Sequence, residues 1–372
     1  MRSVRSHRSE ISLLIYFYER TRVMKKILSL LLALMMLLTL AACGQGAEDT
    51  APETREFTDD AGRTVTLPAK LSRVAPSGSI ATMILTAVAA EKLTCRSSDL
   101  DPGQADYLPD ALDPLPVVGQ IFGGKGTLNM EALLESDPQV IIDCGEAKPG
   151  IKEDLDALSD QTGLPVIFLA TDLPNMADAF RTLGTLLGVE ERCEELAAYV
   201  DKTLAMAEEN AAKVTEKVSI MYTTGATGLD TNARGSNQAQ VIELIGAENA
   251  IVVEDVAHKN GGNTVGMEQL YNFDPDLIVC APSVPVEELK NDPTWQHLTA
   301  VANGRMVAIP SAPYNFMSNP PSLNMLLGVH WLGSLTYPEL YDYDMTQVVQ
   351  EFYSLFWGCE LSSDEAAAIL KG

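Results

Sequence analysis

Two segments of this chain repeat each other without a gap at an offset of 137 residues: 129–142 reads NMEALLESDPQVII and 266–279 reads GMEQLYNFDPDLIV. Both carry Met-Glu, a buried-type Leu, Asp-Pro and a closing β-rich apolar run. The physics of the unit can be read directly. Asn129 or Gly266 stands before a short helix, and the Glu in its first turn suits the positive end of the helix dipole. Asp-Pro ends that helix, because the residue before proline avoids the α region. The apolar run then suits a parallel strand covered on both faces. Two copies of such a unit predict two similar α/β lobes.

The surrounding pattern agrees with this. In the first half, FTDDAGRTVTLP predicts a hairpin turning at Gly62, followed by strand 71–75, helix 79–90, strand 116–119, the repeat, helix 151–162 and strand 165–169. Residues 189–224 contain no Gly or Pro, and Cys193, Leu196, Val200, Leu204 and Ala207 form a helical stripe. One long helix is expected over 190–213, a rigid connector between the lobes. The second half opens with strand 218–223, then a Gly-rich loop, helix 238–246, the repeat, strand 306–309 and a helical tail. The expected organisation is 56–173 as the first lobe, 174–214 as connecting helices and 215–372 as the second lobe. A net charge of -25 opposes nucleic-acid binding, which needs a Lys/Arg surplus against phosphate.

Residues 24–43, MKKILSLLLALMMLLTLAAC, read as a leader. Lys25 and Lys26 precede an apolar stretch too short for a comfortable bilayer span, and small residues stand before Cys43. Met24 is the expected start, with 1–23 an upstream mis-start. The Leu-Ala-Ala-Cys ending resembles a bacterial lipobox, which implies a lipid anchor on Cys43. Residues 44–55 read as a flexible tether. Of the other cysteines, none falls in a CxxC or CxxH pair, and Cys144 and Cys280 close apolar runs as buried small hydrophobes.

DDAGRTVTLP, LSRVAPSGSIATMIL, the two Asp-Pro units, the long central helix, the W-x-x-L-x-A-V-x-N-G-R-M-V-x-I-P run and PYNFMSNPPSLNMLLGVHWL together resemble the class III substrate-binding proteins. These are extracytoplasmic receptors of ATP-binding-cassette importers for ferric siderophores, haem, cobalamin and related complexes, with one branch for molybdate or tungstate. The likeness covers about 56–370. It implies two Rossmann-like lobes joined by one rigid helix, a ligand cleft between them and little closure. It further implies an iron chelate as cargo, a permease dimer as partner, a monomer anchored outside the membrane, and no cofactor or resident metal. Cobalamin, haem or an oxyanion are the alternative cargoes. One surface Glu per lobe meets the permease in such receptors, which singles out Glu131 and Glu268; the rival role for both is service to the helix dipole. The pattern departs at Met83, where relatives often carry Glu.

In open α/β lobes ligands sit beyond the carboxyl ends of the strands. That rule picks loops, not residues: in the first lobe 77–79, 120–124, 145–146 and 171–172, within which the candidates are Ser77, Gly78 and Ser79, whose helix start can hold an anion, Gln120 and Phe122, and Glu146. In the second lobe it picks 224–236, Ser283 and 314–317, within which the candidates are Thr224, Arg234, Tyr314, Asn315 and Phe316. Arg234 suits a carboxylate or oxyanion, and the aromatics suit a flat or greasy ligand. The rival roles are a plain helix cap for Ser77–Ser79, a solvated loop Arg and core aromatics. His258, His297 and His330 do not form a metal-ligand cluster by position. An enzyme on the same lobes, such as a hydrolase, is the rival class, but no G-x-S-x-G elbow or H-E-x-x-H helix is present.

Overall fold

The computed structural model describes residues 53–122, 127–257 and 261–371. Cys43 and the leader lie outside the described residues, as does His258. Residues 54–372 form one compact unit.

The unit opens with a hairpin, β1 (Thr54–Thr58) against β2 (Thr64–Pro68), in antiparallel register. A short strand β3 (Val74–Pro76) leads into helix α1 (Ser79–Ala89). The first copy of the repeat supplies α2 (Met130–Glu135) and β4 (Val140–Gly145). Helix α3 (Ile151–Thr162) and β5 (Val166–Ala170) complete a parallel sheet of order β3-β4-β5, with Val74 opposite Val140 and Ile141 opposite Val166. The expected strand over 116–119 is only a single bridge between Arg96 and Val117.

Helix α4 (Met176–Leu187) then packs on the connector α5 (Glu190–Ala211). At 22 residues α5 is about 33 Å long. The two helices approach closely at Gly184, where a Cβ would stand 2.9 Å from the Cβ of Cys193. The half-buried guanidinium of Arg192, at the start of α5, donates to the Ala87 carbonyl of α1 at 3.1 Å and to the Leu355 carbonyl. The connector is thereby tied to the first sheet's helix and to the C-terminal tail.

The second sheet has six strands: β6 (Ser219–Thr224), β7 (Asp230–Thr231), β8 (Glu248–Asn249), β9 (Asn263–Thr264), β10 (Leu277–Cys280) and β11 (Met306–Ala308). Its order is β11-β10-β6-β7-β9, with β8 on β6; β10 runs parallel to both β6 and β11. The second copy of the repeat supplies β10 and the helix before it, α6 (Met267–Phe273). The tail is α7 (Met325–Thr336), α8 (Met345–Trp357) and α9 (Ser363–Ile369), the last closed by a capping box between Ser362 and Glu365.

The repeat holds in three dimensions. Leu133 and Leu270 are buried, as are Pro138 and Pro275. Asp137 and Asp274 both adopt positive φ, 52° and 34°. The helix does end at Asp-Pro, the aspartate leaving the right-handed region for the left-handed one that short polar side chains tolerate. Alternate residues of β4 and β10 divide between faces in the same way. Val140 and Ile142, like Leu277 and Val279, join a core cluster shared with α5, α7 and α8. Ile141 and Ile278 face a separate outer cluster in each lobe. A core that runs unbroken through the connector joins the two sheets by packing as well as by covalent linkage.

Candidate functional site

Loops of the first, parallel sheet and of the second, mixed sheet meet. Glu146, just after β4, accepts a hydrogen bond from the side-chain amide of Asn237, which lies beyond β7. The Gln104 side chain donates to the Pro313 carbonyl at 3.2 Å. Tyr107 stands edge-on to Tyr353 at 5.5 Å between centroids, and the Tyr353 hydroxyl donates to the Ala312 carbonyl.

On the first sheet, Ser77 follows β3 and its hydroxyl donates to the carboxylate of Asp143 on β4. Both are buried. The Ser77 carbonyl accepts from Ile121 N at 2.7 Å and Phe122 N at 3.3 Å, which folds the 120–122 loop over the end of β3. Gly78 lies under the same loop, 3.0 Å from the Phe122 carbonyl when measured from an added Cβ. Helix α1 starts at Ser79 with no side-chain cap, so its first-turn N–H groups have no capping oxygen from Gly78. The Gln120 N–H is taken by the Thr127 hydroxyl at 3.2 Å. Glu146 is exposed apart from its bond to Asn237.

Asp143 was not among the expected site residues. It occupies the position of Cys280 in the second repeat, where the side chain is a buried hydrophobe in the outer cluster. Burial pushes its carboxyl up to about 6, against the opposing pull of the Ser77 hydroxyl, the Lys148 charge and the Cys144 backbone. A carboxylate inside an otherwise apolar strand, VIIDC, was the available signal.

The second sheet holds its loops differently from expectation. Thr224 is half-buried at the end of β6, with weak bonds to the Asp230 and Gly261 carbonyls at 3.4 and 3.5 Å. Arg234 is exposed but not free: its guanidinium pairs with Glu248 and donates to the Asn249 carbonyl at 3.1 Å. Tyr314 tilts against Trp357 at 5.7 Å, half-buried. Asn315 is buried, and its side-chain oxygen accepts from Met317 N at 2.9 Å and Ser318 N at 3.1 Å, a local turn anchor. Phe316 corrects the expectation outright. Its ring is 1% exposed inside the common core, because Gly328 of α7 lets the Phe316 backbone approach to where a Cβ would meet its carbonyl at 2.3 Å. Met83 is likewise core.

Four buried polar atoms near the strand ends lack a partner: the hydroxyls of Thr171 and Ser236 and the side-chain oxygens of Asn232, directly after β7, and Gln238. Thr171 follows β5, and Ser236 and Gln238 flank Asn237, the residue that meets Glu146. Buried polar atoms are normally satisfied, so these mark where a polar ligand or water would be accepted. The described histidines serve elsewhere. His330 bonds Thr203 and Tyr343, and burial lowers its pKa to about 4; His297 contacts the Pro293 carbonyl. Among the described residues no group of three or more His, Cys, Asp or Glu side chains is placed to hold a bare metal ion, and no helix is long and apolar enough to cross a membrane.

Comparison with known proteins gives concordant matches. The family described as periplasmic binding protein matches residues 87–313. The Fe(3+)-citrate-binding protein YfmC of Bacillus subtilis is 22% identical over 187 residues, 50% of this chain and 57% of that protein, so the alignment spans little more than half of the curated relative. An ABC transporter solute binding protein from Sulfurospirillum deleyianum superposes with a TM-score of 0.77 at 26% identity, covering 86% of this chain and 99% of the other. The molybdate-bound MolA of Haemophilus influenzae superposes at 0.66 with 19% identity, covering 83% and 99%.

Proposed function

Because the chain belongs to the periplasmic binding protein family, we propose that it is the extracytoplasmic receptor of an ATP-binding-cassette importer. It captures a ferric chelate between its two sheets and hands it to a permease dimer. The observation that carries this reading is the meeting of the strand-end loops at Glu146 and Asn237, beside the unpartnered oxygens of Thr171, Ser236 and Gln238. That environment suits a polar cargo held by hydrogen bonds at the position where open α/β sheets bind ligands. A carboxylate-rich chelate is favoured by the relative named for ferric citrate. The ligand set comprises Ser77, Gly78, Ser79, Gln120, Phe122, Glu146, Thr224 and Tyr314, extended by Asp143, Ser236, Asn237 and Gln238. Arg234 joins it only by releasing Glu248.

A tetrahedral oxyanion is the second reading. The uncapped start of the 11-residue α1 favours it, since first-turn N–H groups and the dipole attract an anion. Anchoring through a lipidated Cys43, a monomeric state and permease contacts through Glu131 and Glu268 belong to the same proposal. Both glutamates are exposed first-turn residues of their repeat helices. Calorimetric titration with ferric citrate and with molybdate separates the two cargoes. Saturable heat with the chelate alone supports the first reading, with molybdate alone the second, and with neither rejects both.

A further inference from the structure

Among the described residues the exposed large hydrophobics are Leu134, Val252, Tyr271 and Leu335. Two of these, Leu134 and Tyr271, lie exactly one repeat apart, at equivalent positions of α2 and α6. Each stands three residues after the exposed glutamate of its helix, Glu131 or Glu268, so each acid and its apolar neighbour share one helical face. Leu134 is 45% exposed and Tyr271 40%. Their chain neighbours on the buried side, Leu133 and Leu270, are fully packed. A large apolar side chain left in water in both copies of the unit is a repeated feature of the repeat, and it is not one that the core uses.

The two sites are built to hold these side chains outward. The Tyr271 hydroxyl donates to the Thr294 carbonyl at 2.9 Å, and its ring stands edge-on to His297 at 6.2 Å. The ring is therefore pinned at the surface with an apolar face in solvent. Asp137 and Asp274 close the two helices in the same left-handed conformation. Asp137 pairs with Arg73 at 3.2 Å, and the Asp274 carboxylate accepts from Thr299 N and Oγ1 at 2.8 and 2.7 Å. Both helices carry acidic residues and no basic one: Glu131 and Glu135 on α2, Glu268 on α6.

We infer that Leu134 and Tyr271 are paired apolar anchors for the permease dimer, each seated in the same socket of one of its two subunits, with Glu131 and Glu268 pairing to a cation on the socket rim. The inference rests on the receptor reading above and adds to it the contact that carries docking energy. Rim charges mainly steer encounter and fix register, whereas a desolvated aromatic or aliphatic anchor is where binding energy concentrates. A partner with two identical subunits is what a pseudo-symmetric pair of patches fits. The chemistry asked of the partner is an apolar pocket bordered by Arg or Lys, presented twice.

The test uses the full protein and the permease–ATPase complex that supports uptake with it, held in nanodiscs. Docking is read by biolayer interferometry, and ferric citrate binding is read in parallel on the same variants. Leu134→Asn and Tyr271→Asn each weaken docking about tenfold, and together by about a hundredfold, equivalent to roughly 1.4 kcal/mol per anchor. Ferric citrate affinity stays within twofold of the parent. Tyr271→Phe, which keeps the ring and drops the hydroxyl, docks as the parent does. Cysteines placed by Leu134→Cys and Tyr271→Cys cross-link to one and the same permease position. A double Asn variant that docks within twofold of the parent overturns the anchor proposal while leaving the receptor reading intact, as does cross-linking to two unrelated positions. Self-association that the double variant abolishes, with docking unchanged, assigns the face to a second copy and also overturns it. A parent protein that neither docks nor binds cargo removes the receptor reading itself.

Discussion

The Asn237 side-chain amide donates to the Glu146 carboxylate, and through that bond the loop beyond β7 meets the loop beyond β4. Glu146 follows the parallel strand β4 of the first sheet, and Asn237 follows β7, an antiparallel strand of the second. The bond links the two halves at the place where cargo is proposed to sit, so its loss should be felt in binding more than in folding. Asn237→Ala should lower the melting temperature by no more than a few degrees, since such a bond contributes about 0.5–1.5 kcal/mol net. Cargo affinity should fall several-fold. Paired thermal melts and titrations check this, and equal affinity with large destabilisation would assign the pair a purely structural role.

Asp143 makes stability depend on pH in an unusual direction. Its folded pKa, about 6, lies above its ordinary value of 3.8. The folded state therefore holds a proton that the unfolded state has released between those values, and stability from this group falls as pH rises from about 4 to about 6. The shift corresponds to roughly 3 kcal/mol. Asp143→Asn removes this contribution. The variant should match the parent near pH 4 and exceed it in melting temperature above pH 7. A difference between the two that is constant across this range would contradict the assignment.

Arg192 tests the connector. It is half-buried and donates to carbonyls of α1 and α8. Arg192→Met leaves those carbonyls without a charged donor and should cost about 2–3 kcal/mol in urea unfolding. Cargo affinity measured below the transition should be unchanged, because Arg192 lies on the shared core and not among the strand-end loops.

Phe316 and Tyr314 are two residues apart and should behave oppositely. Phe316→Ala opens a cavity in the common core and should cost about 3–5 kcal/mol. Tyr314 is half-buried, and its ring leans on Trp357. Tyr314→Ala should cost less stability and weaken cargo binding. Urea unfolding and titration of both variants would show whether the loop offers the tyrosine to ligand.

These contrasts show which features can be read from residues and which cannot. The repeat, the connector and the α/β class depend on local periodicity and on Asp-Pro punctuation, and they carry through to three dimensions as the equivalent burial of Leu133 and Leu270, and of Ile141 and Ile278, each in the outer cluster of its own lobe. Burial of a loop side chain depends on what packs over it from far along the chain. Phe316 could not be told from Tyr314 because the deciding contact is Gly328 on a later helix. Arg234 looked available because Glu248, its partner, lies 14 residues away on another strand. Asp143 lies hidden within an apolar run, although its position matches Cys280 of the second repeat. Among the described residues, 116–119 pairs only through the single bridge of Val117 to Arg96.

The central claim is that this protein reversibly binds a ferric chelate between its two sheets. Calorimetric titration of ferric citrate into the protein lacking its first 43 residues tests it most directly. The account predicts saturable one-to-one heat, together with thermal stabilisation of about 2.7 kcal/mol at a hundredfold excess over the dissociation constant. It also predicts that Asn237→Ala weakens both. No heat with ferric citrate, ferric hydroxamates, ferric catecholates or haem would contradict it.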